Sequence, residues 1–519
     1  MSKLSALILQ LSRLGRTAPS RVHLDADGWP AAGGSRDLVQ KGISYATWQA
    51  GAYSEPDADL ALEHLRATGA NWISLIVTQY QDGILSTDIR ASAQTPTDAD
   101  VQHVIAVAHR LGLKVMLKPH VDLRNDDPRY SRSLIGIAFT PSRWPIWFAS
   151  YRAFINRYAD LAQAYGADQF CVGTELDSSI GRVADWRAVI RDVRGRYRGP
   201  LTYASNWTVA PFVGWWDALD FIGVDAYPPL SLSKAPSLPE LRAAWRLHVA
   251  ALTAVARAWS KPVLLTEIGY RSLDGANMAP WDWWKQGAVD LQEQANCYQA
   301  ALKSVFTQPW FAGMFWWAWG VDPLEGGPYD TGFTPHDKPT EDVLRRWYGA
   351  PPRENPRVPE PDYARSLEVY TDALGAGWAD WSWNAEVDVL AADSAQAGTR
   401  AISVKAGPLG ALSLHHENLD SGPYDWLEFD LRQSAPGQRL YVFVNDENDA
   451  GLRQRPVDDG RYTAGQRLQP GIWTRVRIPL ADLNAGNRSL QRVSIQNQTG
   501  EISSFWVDEI RFLPARRDS

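Results

Sequence analysis

Eight short apolar runs spread over residues 38–349, with amphipathic stretches of helical period between them, limit what this chain can fold into. The runs are "VQKGISYATW", "NWISLIVTQY", "LKVMLKPHV", "DQFCVGTEL", "LTYASNW", "FIGVDAY", "PVLLTEIGY" and "FAGMFWWAWG". The helical stretches include "DADLALEHLRATG" and "DADVQHVIAVAHRLG", each closed by a glycine stop, and "PELRAAWRLHVAALTAVARAW". Strands alternating with helices in this number fit a (β/α)8 barrel. A doubly wound open sheet would carry a Gly-rich phosphate turn after an early strand, and the sequence has none.

Residues 1–37 precede this pattern as an N-terminal extension, and residues 350–364, with five prolines, read as a stiff linker after it. Beyond the linker the helical period largely vanishes. "DWLEFDLR", "RLYVFVND", "WTRVRIPL", "RVSIQNQ" and "FWVDEIRF" read as antiparallel strands between Gly, Asn, Asp and Pro turns. The expected architecture is α/β: a (β/α)8 TIM barrel over 38–349, then a jelly-roll-like antiparallel β-sandwich over 365–514.

Charge and composition exclude several functions. A net charge of −7 gives no basic field for phosphate backbones, so no nucleic-acid partner is expected. The longest apolar runs fall short of the ~20 residues a membrane helix requires. Cys171 and Cys297 fall in a barrel strand and an outer helix and are expected as buried free thiols. No Cys/His cluster has zinc-ligand spacing, and Asp122, Asp126 and Asp127 in "HVDLRNDD" miss the spacing of a calcium loop. Walker loops, G-x-S-x-G elbows and H-E-x-x-H helices are absent from the sequence, and no cofactor is expected in the barrel. The N-terminus "MSKLSALILQLSRLGRTAPS" has an apolar stretch after a basic residue, but Arg13 and Arg16 come early and no A-x-A site follows. It reads as a poor signal peptide or a short amphipathic helix.

The chain contains 25 tryptophans, whose flat apolar faces suit either core packing or stacking on a flat ligand such as a pyranose ring. "FWWAWG", residues 315–320, is the eighth strand, so alternate side chains should face the barrel interior and the helix layer. "PWDWW", residues 280–284, lies in the loop after strand 7, where Trp281, Trp283 and Trp284 could wall a cleft or pack beneath the loop.

Polar residues at the C-terminal ends of barrel strands are the first candidates for chemistry. Glu175 ends strand 4 in "FCVGTEL" and Glu267 ends strand 7 in "PVLLTEIGY", so both carboxylates can point into one cleft. Two carboxylates flanking one bond are the minimum equipment for glycoside hydrolysis. Trp48 ends strand 1, Gln79 ends strand 2, Lys118 and His120 end strand 3, and Asn206 ends strand 5. Lys118 and His120 would offer hydrogen-bond donors to hydroxyls, or else an ion pair and a satisfied core histidine.

With acid/base after strand 4 and nucleophile on strand 7, the barrel resembles the large clan of retaining glycosidases. "GTEL" and "TEIGY" are most similar to glycoside hydrolase family 113, chiefly endo-β-1,4-mannanases. The resemblance implies Glu175 as acid/base and Glu267 as nucleophile, about 5–5.5 Å apart, with Glu175 protonated and Glu267 ionised. It implies Tyr227, in "GVDAY", as a phenol donating to Glu267, and Trp316 as the floor of the subsite at the scissile bond. Many families of the clan have Asn immediately before the acid/base, contacting the sugar 2-hydroxyl. Here the residue is Thr174, and Asn206, Gln79 or His120 would have to supply that contact.

The C-terminal region resembles the jelly-roll modules attached to carbohydrate-active enzymes. Trp378, Trp381 and Trp383 could then form a stacking platform or fill the sandwich core, and Asp372 and Asp508 could share a structural calcium. The implied partner is a polysaccharide or oligosaccharide, bound by a monomer, and that substrate class points to secretion or the periplasm. Three readings stay open: an endo-β-1,4-mannanase-like retaining hydrolase, the same chemistry on β-glucan, xylan or an amino-sugar polymer, and a non-catalytic polysaccharide-binding or assembly protein.

Overall fold

The computed structural model describes residues 39–124, 129–353, 360–392 and 395–516. The chain forms two compact units that divide between Arg353 and Glu354. The extension 1–37, residues 354–359 of the linker, and Asp126 and Asp127 lie outside the described residues.

In the first unit, eight parallel strands close into a barrel in chain order, with the last paired to the first. They are β1 (Gln40–Tyr45), β2 (Trp72–Gln81), β3 (Lys114–Leu123) and β4 (Gln169–Thr174). The other half is β5 (Leu201–Asn206), β6 (Ile222–Asp225), β7 (Val263–Ile268) and β8 (Phe311–Trp319). Helices cover the outside while side chains fill the inside, so the strands are buried on both faces and read as near-continuous apolar runs.

Seven α-helices follow these strands among the described residues: α1 (Pro56–Ala67), α2 (Asp98–Arg110), α3 (Arg143–Tyr165), α4 (Val183–Arg194), α5 (Leu238–Trp259), α6 (Leu291–Val305) and α7 (Pro339–Tyr348). Local chemistry sets their starts. At α2 the Thr97 hydroxyl accepts from the Asp100 N–H at 3.1 Å while the Asp100 carboxylate accepts from the Thr97 N–H at 2.7 Å, a reciprocal cap.

The connection from β5 to β6 departs from the regular alternation. Pro211 and Gly214 interrupt it, and it forms two 3-10 turns, Ala210–Phe212 and Trp216–Ala218, instead of an α-helix. Trp215 and Trp216 are fully buried there and supply the apolar cover a helix would give, Trp215 stacking on Trp186 of α4 at 5.0 Å. These belong to a set of eight fully buried tryptophans in the barrel unit, so much of the tryptophan content is core. Cys171 and Cys297 are buried free thiols. No described helix is long and apolar enough to cross a membrane.

The start of the Pro-rich segment is fastened to the barrel's last helix. Arg345 donates to the Pro351 carbonyl at 3.2 Å, and Arg353 pairs with Asp342 at 2.8 Å.

The second unit is one antiparallel network of ten strands, β9 (Leu367–Tyr370) to β18 (Ser503–Leu513), curled over its own core. The curl centres on the 20-residue strand β12 (Ala401–Asp420). Its first half pairs with β18, and its second half pairs with β17 (Ser489–Asn497), so one strand joins both layers of the expected sandwich. Alternate residues such as Leu427, Phe429 and Leu431 of β13 (Trp426–Gln433) fill the interior. Trp378 is part of that core against Phe512, whereas Trp381 lies flat on His415 at 3.7 Å and is 51% exposed. The Asp372 carboxylate accepts from the Thr399 and Arg400 N–H groups, and that of Asp508 from Gln396 and Ala397.

Candidate active site

At the C-terminal end of the barrel, β3, β4, β6 and β7 bring together a cluster of charged side chains. Side chains two apart on a strand share a face, so Lys118 and His120 of β3 both point inward. Asp225 and Glu267 face each other in register across β6 and β7. Glu175 follows β4 directly, after a register slip between Cys171 and Thr174. Its backbone adopts φ +53°, and its N–H donates to the Ala204 carbonyl at 2.8 Å. A left-handed conformation at a non-glycine costs about 1 kcal/mol, and it turns the side chain toward the mouth. Gly173, just before, permits this approach: a Cβ there would lie 2.7 Å from the Tyr151 hydroxyl and 2.9 Å from the Trp186 ring.

Glu267 accepts a hydrogen bond at each oxygen. Lys118 Nζ donates to Oε1, and the Tyr227 hydroxyl donates to Oε2 at 2.8 Å. Two donors on two oxygens are the pattern a carboxylate anion satisfies. Lys118 Nζ also lies 3.5 Å from Asp225 Oδ1, which accepts from Thr266 Oγ1 at 2.7 Å.

Glu175 is held differently. Its side chain is 21% exposed, and Arg132 Nη1 stands 4.0 Å from Oε2. Burial, followed by repulsion from Asp225, pushes its carboxyl up to about 8 against the pull of Arg132. Asp225 is raised too, by burial first and then by Glu267, with Lys118 opposing.

Arg132 also fixes the state of His120. A guanidinium can only donate, so Arg132 Nη1, 2.8 Å from His120 Nδ1, assigns that nitrogen as acceptor. Burial, Arg132 and Lys118 hold the imidazole well below its usual range, so it is neutral with its proton on Nε2. Nε2 has no hydrogen-bond partner and lies 3.8 Å from Glu267 Oε1.

Several sequence expectations are revised here. Lys118 was expected to contact sugar, but it has no exposure and lies beneath the carboxylates, because its position on β3 is one pleat deeper than that of His120. Trp316 was expected as the subsite floor, but it faces the helix layer, fully buried and stacked on Tyr298 of α6 at 3.6 Å. Trp317 takes the inward position, its ring parallel to His120 at 6.3 Å and 6.2 Å from Trp48. The Trp317–Ala318 peptide is cis. Asn206 turns its amide to Asp177, donating at 3.0 Å, and Gln79 faces outward to Tyr158 of α3. Trp48 is an exposed residue beside Trp317, while Trp281 is exposed on the loop after β7 and has no ring contact with the cluster among the described residues.

The sequence reading missed Asp225 and Arg132, and it left Trp317 between packing and the cleft rim. Asp225 ends a barrel strand, so the rule that selected the glutamates could have found it. Arg132 comes from a 3-10 turn (Arg132–Leu134) in the β3–α3 connection, and no local signal marks it.

Opposed glutamates at one end of a parallel barrel are the equipment of a TIM-barrel glycoside hydrolase, and comparison with known proteins leads to the same class. The chain belongs to Glycoside Hydrolase Family 113, whose family model matches residues 43–338. A solved family 113 β-1,4-mannanase is 27% identical with a TM-score of 0.55, covering 60% of this chain and 99% of that one. A family 113 β-mannanase from Alicyclobacillus acidocaldarius, in complex with ManMIm, is 31% identical with a TM-score of 0.54, covering 60% and 97%. An endoglucanase of Dictyostelium discoideum is 25% identical over 141 residues, 27% of this chain, which spans only 20% of that relative's length. The model of the Expansin-like protein C-terminal domain matches residues 369–515.

Proposed function

We propose that this glycoside hydrolase cleaves β-1,4-linked mannan within the chain, with retention of configuration, by double displacement at Glu267 and Glu175. The observation that carries the reading is the unequal holding of the two carboxylates. Glu267 receives Lys118 and Tyr227 on separate oxygens, while burial and neighbouring negative charge keep a proton on Glu175. In the first step Glu175 gives its proton to the leaving glycosidic oxygen as a Glu267 oxygen bonds to the anomeric carbon. In the second, Glu175 takes a proton from water, which displaces Glu267 from that carbon and restores both groups.

The free Nε2–H of His120 beside Glu267 suits a hydroxyl on the ring carbon next to the anomeric one, the contact that Thr174 cannot make as an amide. Trp317 offers the sugar a stacking face, and Trp48 extends it along the rim. In the second unit, the open face of Trp381 is the place for a glycan chain to rest. The mannan assignment draws on the family and on the two mannanase structures. The endoglucanase relative supports β-glucan as a second substrate reading.

A panel of β-glycans with product sizing tests the substrate, and proton NMR of the first-formed anomer tests retention. Oligosaccharides of the β-configuration from mannan are expected. Initial release of the α-anomer would overturn the double displacement, and no hydrolysis of any β-glycan would favour a binding protein.

A further inference from the structure

Asp225 is the carboxylate the double displacement leaves without work. It is fully buried at the end of β6, and Oδ2 has no hydrogen-bond partner although it is shut off from water. Its other oxygen takes one neutral donor, Thr266, and half of an ammonium that Glu267 holds more closely. A buried carboxylate so poorly supported is costly, and as a purely structural group it is a poor choice.

The surroundings of Glu175 give Asp225 a use. From β3 come Lys118, neutral His120 and Asp122, and from the following loop Arg132; β6 supplies Asp225 and the segment after it Tyr227, β7 supplies Glu267, and β4 adds the Cys171 thiol. Two cations therefore stand against four carboxylates, counting Glu175 itself. Asp122 is matched to Arg132 at 2.7 Å, and Glu267 to Lys118. That leaves Asp225 and Glu175 to share what remains, so ionising both is disfavoured.

Resting on the two-glutamate reading above, we propose that Asp225 is a positioning residue that keeps the proton on Glu175, by placing below the cleft a second carboxyl that resists ionising together with it and by anchoring Lys118 on Glu267. The repulsion of Asp225 is the largest charge effect on Glu175 after burial, which agrees with this geometry. Asp225 has no exposed surface. It acts through its neighbours.

The test is the pH profile of kcat/KM for full-length Asp225→Asn on mannan, beside wild type and Glu267→Gln. The basic limb should move to lower pH by about one unit or more, costing roughly tenfold in rate on the alkaline side. A fold-only role would lower activity evenly and leave the limb in place, and that result would overturn the proposal. If Asp225→Asn does not fold, 13C NMR of carboxyl-labelled wild type decides. The Glu175 titration should carry a second inflection at the ionisation of Asp225, and a single step would refute the coupling. Failure of the underlying reading looks different: wild type is inactive or Glu267→Gln remains active, whatever Asp225→Asn does.

Discussion

Replacing Glu175 with Gln removes one proton and little else. The side chain keeps its size, the left-handed backbone at 175 is unaffected in kind, and Arg132 at 4.0 Å loses no close ion pair. With its carboxyl pushed up to about 8 by burial and the neighbouring Asp225, wild-type Glu175 holds its proton at neutral pH. The Glu175→Gln protein has no proton to give. General acid catalysis is worth roughly 10²–10⁴-fold, or about 3–5 kcal/mol of barrier, so kcat/KM on mannan should fall by that factor. An aryl glycoside whose leaving group is already a weak base needs no proton, and its bond-breaking step should fall by about tenfold or less. Stability should change in the other direction. The folded carboxyl titrates above its ordinary value of 4.5, so the stability Glu175 contributes is complete below that value and is lost as pH rises to about 8. The variant escapes this loss, so its Tm should match wild type near pH 5 and exceed it above pH 8. Equal losses on both substrates, or an unchanged rate on mannan, would refute the assignment of Glu175 as acid.

Other substitutions separate packing from recognition. Trp317→Ala should raise KM for mannan by about tenfold with a modest change in Tm, whereas Trp316→Ala should cost about 3–5 kcal/mol in denaturant unfolding and leave KM nearly unchanged in the folded fraction. Lys118→Met leaves Asp225 and Glu267 buried without their ammonium. It should lower kcat by at least about 10²-fold and cost roughly 3–5 kcal/mol of stability, while a rise in KM alone would return Lys118 to the sugar. Trp381→Ala should weaken retention on insoluble mannan without altering turnover of soluble oligosaccharides, and Trp378→Ala should instead destabilise the second unit.

The barrel was legible because parallel strands covered on both faces leave long apolar runs, and the glutamates because charge at the end of such a run has few structural uses. The tryptophans of β8 were not, and the reason is a matter of one residue. At the strand's start, between Val263↔Phe311 and Leu264↔Gly313, one step of β7 spans two of β8, so simple alternation from there cannot say which tryptophan faces in. Lys118 had the right face but an unknown depth, and depth decides whether an ammonium meets water or carboxylates. The helix expected between β5 and β6 was lost to Pro211 and Gly214, which were visible, while its replacement by Trp215 and Trp216 depends on Trp186 from another element. Arg132 reaches His120 and Glu175 only once the β3–α3 connection has folded over the mouth.

The nucleophilic role of Glu267 is tested most directly by trapping. A fluorinated mannosyl donor that forms the glycosyl-enzyme quickly and releases it slowly should add one sugar mass to the intact protein, and peptide mapping should place it on Glu267. No adduct on an active enzyme, or an adduct on another residue, would contradict the double displacement proposed here.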